Sequence, residues 1–236
     1  MAKPWNPVAK PWNRLRPAAA LLPFCVLFTA CTTNVQLREE GHEALDRGNA
    51  PEARESFAYA VERRPADAKA RYGLGLAYLE LNRPLDAQLA FEKALAVKFD
   101  DRDLTDEILD GIAEALFLQE RFEQLHAFLD ETASYYGESD DYLRQARYLV
   151  NMGDLDAAVV AFRKAAYFAD EGDAEPYLEM SAFYDSINDQ PNALRSLRYA
   201  YWVNPEHPDI PDRFRTFGKV PGPTLREAPP KPELLR

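Results

Sequence analysis

Chemistry in this 236-residue chain would have to be built from few reactive side chains: three histidines, two cysteines and a large excess of acids. His42, His126 and His207 are far apart, and no HxxxH, CxxC or glycine-rich phosphate loop accompanies them, so neither a metal site nor a nucleotide site has local support. The acids gather as Asp100-Asp101 with Asp103 and as Asp140-Asp141. They lack the alternating ligands and the glycine of a calcium loop and read as solvated loop charge. No serine stands in motif context with a histidine and an acid, and Gly73-Leu74-Gly75 reads as close helix packing. No cofactor, no metal and no catalysis are therefore expected. A hydrolase using scattered carboxylates is the remaining enzymatic alternative, which paired acids gathered in one deep pocket would favour.

The elements that would have to position such groups are bounded by composition. With 47% hydrophobic and 12% aromatic residues, the chain can bury a sizeable core. Its net charge is −11, yet Lys3, Lys10, Arg14 and Arg16 are accompanied by no acid in the first 30 residues, so the rest is more acidic still. That charge repels phosphate backbones, and no basic helix face appears, which argues against nucleic acid as a partner.

Residues 1–30 run from a basic stretch through the apolar PAAALLPFCVLF to small residues directly before Cys31, the order of a secretory signal. As a helix, residues 17–30 would extend ~21 Å at about 1.5 Å per residue, short of a hydrocarbon core of roughly 30 Å. Leu27-Phe28-Thr29-Ala30-Cys31 resembles the lipobox of bacterial lipoproteins, with Phe28 departing from the usual aliphatic residue. The resemblance implies that Cys31 is acylated and becomes the mature amino terminus, with residues 31–33 as a short tether to a membrane. Cys25 is the poorer candidate because Phe24 is too bulky for the cleavage position. Thr32, where an Asp would signal retention in the inner membrane, points to the cell envelope, at the outer membrane facing the periplasm.

From residue 34 a pattern recurs about every 34 residues. Residues 68–101 show it best, with Leu74-Gly75, Tyr78, Asn82, Ala87, Phe91 and Ala94. Residues 34–67 supply Gly41, Gly48, Ala53, Phe57, Ala60 and Pro65; residues 139–172 supply Ala146, Leu149, Gly153, Ala158, Phe162 and Ala165; residues 174–207 supply Met180-Ser181, Tyr184, Asn188, Ala193, Leu197, Ala200 and Pro205. Small residues permit close helix approach, large ones fill the space between helices, and Gly48 and Gly153 turn the chain. Residues 106–139 diverge: Leu125 and Thr132 replace alanines, and an extra charged stretch, Arg102 to Thr105, precedes them. Helical spacing of Ile108, Leu109, Ile112 and Leu116 still predicts helices there.

This pattern resembles the tetratricopeptide repeat (TPR) family. The resemblance implies an all-α fold, a TPR superhelix of about five helix-turn-helix repeats over 34–207 with nearest-neighbour contacts. Residues 208–236 would add a short capping helix over 209–217, with Phe214 and Phe217 covering the last repeat, and a Pro-rich tail that should be extended or disordered.

In TPR proteins the first helix of each repeat lines a concave groove. Carried onto this sequence, that face comprises Arg38, His42, Tyr72, Leu76, Leu79, Glu114, Phe117, Leu118, Leu143, Arg147, Leu178 and Asp185. Gly73 and Glu107 stand where chaperone-tail-binding TPR domains need polar or basic contacts. A helix or extended protein segment with apolar anchors therefore suits the groove better, with Tyr72, Phe117 and Arg147 as its main contacts. The resemblance implies a membrane-anchored scaffold, similar to TPR lipoproteins that assist pilus, secretin or tight-adherence assemblies. An adaptor for periplasmic cell-wall enzymes is the alternative.

Overall fold

Most helices in this chain begin where a short polar side chain, a proline or both can occupy the exposed amino end. The computed structural model describes residues 33–97 and 99–230; the proposed signal and Cys31 lie outside the described residues. Among those described there are eleven α-helices and no strand. They pair as α1 (Asn34–Asp46) with α2 (Ala50–Arg63), α3 (Ala68–Glu80) with α4 (Pro84–Leu95), α5 (Arg102–Leu118) with α6 (Phe122–Tyr135), α7 (Ser139–Met152) with α8 (Leu155–Phe168), and α9 (Glu175–Ser186) with α10 (Gln190–Val203). Thr33, Asn49, Asp67, Asp101, Asp154 and Asp189 cap helices through their side chains, and prolines occupy the first turn of α2, α4 and α10.

The turn within each pair passes through the left-handed region, at Gly48, Asn82, Glu120, Gly153 and Asn188. Glycine and asparagine tolerate that conformation. Glu120, in the divergent repeat, is the one residue of another type there.

Packing repeats as well. Phe57 of α2 is fully buried between Gly41 of α1 and Gly73 of α3; an added Cβ at either glycine would lie 2.6 or 2.3 Å from the ring. Phe91 of α4 is held in the same way between Gly75 and Gly111. Each ring thus locks its own repeat to the next. Leu129 replaces the ring in α6, and α6 packs far more loosely on α5 than the other second helices do on their first. A groove of about 560 Å³ opens between α4 and α6 over α5, floored by Ile112 and Leu116.

Consecutive first helices, α1 to α3 and onward to α9, also touch one another, whereas the second helices make no comparable set of contacts. The odd-numbered helices therefore form the inner layer of the stack. Helix α11 (Ile210–Thr216) closes its end with Phe214 fully buried and Phe217 half-buried.

Two expectations need correction. Arg102 to Thr105 are not an insertion ahead of the third repeat but the first turn of the long α5, capped by Asp101. Asp141 is not solvated loop charge; its side chain is buried in the first turn of α7. Of the two alternatives for the tail, its described residues follow the extended one: after a 3₁₀ turn at Pro223–Leu225 they lie against α10.

Candidate inner-face binding site

The inner layer brings side chains from α1, α3, α5 and α7 onto one surface. Between α1, α3 and α5 it encloses a concavity of about 530 Å³ that gathers His42, Tyr72 and Leu76 with Lys69, Asp103 and Glu107. His42 is exposed and stands edge-on to the Phe57 ring at 5.0 Å between centroids. Tyr72 is half-buried, 5.8 Å from Phe91, and its hydroxyl pKa is pushed up to about 12 by burial first and then by the charges of Glu107 and Asp110. Leu76 and Leu79 are partly buried against the core of α3 to α6.

Further along, Phe117 lies 5.8 Å from Phe122 and 5.8 Å from Tyr148, so three rings bridge α5, α6 and α7. Burial raises the Tyr148 hydroxyl above its usual range, and Glu114 and Asp110 add to it. Leu118 is exposed, and Arg147 holds Glu179 of α9 through Nε and Nη2 at 2.8 to 3.2 Å. The surface is therefore aromatic in its floor and acidic along α5.

Leu143 and Leu178 do not belong to it. Both are buried in the core, at 1% and 0% exposure. They occupy the place in their repeats that Arg38 and Tyr72 hold in theirs. A long or polar-tipped side chain there reaches toward the groove from a half-buried stem, whereas leucine sinks wholly between the helices.

Sequence reasoning missed Arg144. This guanidinium, 2% exposed, is surrounded by Asp106 and Asp110 of α5 and Asp141 of α7: Nη1 donates to Asp141 at 2.9 Å, Nη2 to Asp106 at 3.1 Å, and Nε to Asp110. Arg102 joins the group, 3.2 Å from Asp141 and stacked 4.3 Å over the Tyr136 ring. Burial alone would lower the Arg144 pKa, but Asp110 and Asp141 raise it, so the charge is secured. Asp106, Asp110 and Asp141 thus converge on one guanidinium. Their sequence signal was the arginine three residues after Asp141, legible only once α5 is placed beside α7.

Two family models described as tetratricopeptide repeat match the chain, one over residues 38–103 and one over 142–171. No curated protein matches it. Among solved structures, a tetratricopeptide repeat protein from Parabacteroides merdae superposes with a TM-score of 0.56 at 15% identity, covering 80% of this chain and 72% of that one. A thermophilic TPR protein in Thermus thermophilus gives 0.54 at 18% identity, covering 78% and 98%. MamA gives 0.50 at 16% identity, covering 76% and 97%. At these identities the likeness concerns the fold. Between the two matched stretches, residues 104–141 hold most of α5 and all of α6. Residues 38–103 and 142–171 are tetratricopeptide repeats, and the chain folds as a TPR-type helical array.

Proposed function

We propose that this chain is a protein-binding scaffold whose inner face, from His42 on α1 to Arg147 on α7, holds a segment of another protein. The observation that carries this reading is the partly open aromatic floor of Tyr72, Phe117 and Tyr148 beside the carboxylates of Glu107 and Glu114. Rings that are half-buried at the bottom of a groove supply contact area at little entropic cost, and aromatics dominate interface energies once desolvated.

A photoreactive residue placed at exposed inner positions His42, Glu114 or Leu118 is expected to crosslink a partner in cells, whereas outer positions Glu62 and Lys93 are not. Equal capture from both layers would sink the inner-face assignment. These sites are chosen because their substitution leaves the core intact; Tyr72 packs on Phe91 and is unsuited to the test.

The scaffold is further proposed to be anchored to a membrane through acylated Cys31 and to aid assembly of an envelope complex. The lipobox-like run ending at Cys31 supports this reading, and α1 begins at Asn34, capped by Thr33, whose hydroxyl accepts from the Gln36 N–H. Two residues after Cys31 reach roughly 7 Å at ~3.6 Å each, so a lipid there would hold the first repeat at the bilayer surface. Fatty-acid labelling that persists in a Cys31→Ser variant would refute the anchor.

A further inference from the structure

Beyond α11 the chain turns back across α10. Leu225 packs on the apolar cluster of α9 to α11. Arg198 of α10 then holds the returning strand three times: Nε donates to the Leu225 carbonyl at 3.1 Å, Nη1 lies 2.7 Å from the Glu227 carboxylate, and the Arg198 carbonyl accepts from the Glu227 N–H at 3.5 Å. Arg226 sits 5.0 Å over the Tyr201 ring. These contacts bring Pro230 to the edge of a groove of about 240 Å³ between α8 and α10, floored by α9. Pro230 itself forms part of the wall, with Tyr177, Tyr184, Tyr199, Arg163 and Arg195.

The chemistry of this groove matches what reaches it. Consecutive prolines fix the backbone in an extended left-handed helix with no N–H and with solvated carbonyls, and such segments dock between aromatic rings. Here Tyr177 and Tyr199 meet edge to face at 5.7 Å and build one wall. Arg163 and Arg195 stand at the exposed rim, where guanidinium donors can serve proline-segment carbonyls that lack backbone partners. The groove between α4 and α6 is larger, but among the described residues neither a tyrosine nor any part of the tail lines it.

We propose that the α8–α10 groove is a recognition site for polyproline II segments and that its occupant is this chain's own Ala228-Pro229-Pro230, a tethered ligand. The site lies on the outer layer and does not depend on the inner-face reading. A short tether raises the local concentration of the segment into the millimolar range, so even a weak intrinsic contact is occupied.

The test uses the full-length chain and a fluorescent peptide of residues 227–236. The peptide is expected to bind the Pro229→Ala, Pro230→Ala chain about tenfold more tightly than the wild type, whose tethered segment competes. A peptide with alanine at every proline should bind that variant at least about tenfold more weakly, a loss of ~1.4 kcal/mol. Equal binding of the two peptides, equal binding to both chains, or no binding to the variant at millimolar peptide would each overturn the proposal. In a second measurement, a photoreactive residue at Arg195 should crosslink to residues 228–230 of the same chain. Crosslinks only between copies would overturn the tethered form.

Discussion

Asp67 shows how much one side chain does in this array. It caps α3 by accepting from the Ala70 N–H at 3.0 Å and holds Arg38 of α1 through both oxygens at 2.8 and 2.9 Å. Burial pushes its carboxyl pKa up, but the bonds from Ala70, Arg38 and Asn34 outweigh burial and keep it below the ordinary value. A depressed folded-state pKa contributes stability that is complete above the ordinary carboxylate value of about 3.9 and is lost as pH falls through the folded value. Asp67→Asn is therefore expected to lower stability at pH 7 by about 1–3 kcal/mol, as for a buried hydrogen-bonded charge that loses its partner. Thermal melts of wild type and variant should converge as pH falls below the ordinary carboxylate range and through the depressed folded value. A gap that stays constant with pH would show that Asp67 acts only through shape.

Among the elements, the hairpin of α5 and α6 differs from its neighbours, and its turn reveals a local conflict. Glu120 adopts φ 56° where Gly48, Asn82, Gly153 and Asn188 stand in the other repeats. A side chain with a Cβ pays about 1–2 kcal/mol there. Glu120→Gly should thus raise the melting temperature by a few degrees, at ~2–4 °C per kcal/mol for a chain of this size. A lower melting temperature would show that Glu120 makes a compensating contact. The same repeat marks where the sequence stops being readable. Gly41, Ala87, Phe91 and Ala193 were legible because close packing between equivalent helices demands the same sizes at the same interval. Arg144 was not, because its partners Asp106 and Asp110 lie on α5, where the interval is broken. Leu143 and Leu178 were misplaced on the groove because one position can be rim or core according to side-chain length alone. The anchoring of the tail was illegible for another reason: proline-rich composition reports the absence of periodic packing, and Arg198 and Tyr201 hold it without any period.

At the scale of the whole array, the buried apolar core is not continuous. One cluster runs from α3 to α6 and the next begins at α7. Across that join run the Arg144 and Arg102 ion network between α5 and α7, the Phe117–Tyr148 contact and Met152, which packs on both clusters. Repeat arrays owe their cooperativity to such nearest-neighbour interfaces. Removing one partner of a buried charge group costs about 3–5 kcal/mol because the others are left uncompensated. Arg144→Met is accordingly expected to split thermal unfolding into two steps, visible by calorimetry, with α1–α6 and α7–α11 melting apart; a single transition at reduced temperature would place the cooperativity elsewhere. Arg144→Lys should not restore it, since an ammonium cannot serve three carboxylates in a planar fork. The ring of Phe57, seated between a glycine of its own repeat and one of the next, bears on something else, the order in which the molecule is made. A growing chain cannot finish a repeat when its second helix emerges, because half of the ring's seat has not yet been synthesised. At α2 and α4 folding during synthesis must trail translation by about one helix, with Phe57 or Phe91 exposed until the next first helix is made, and that ring is the surface a chaperone would meet first.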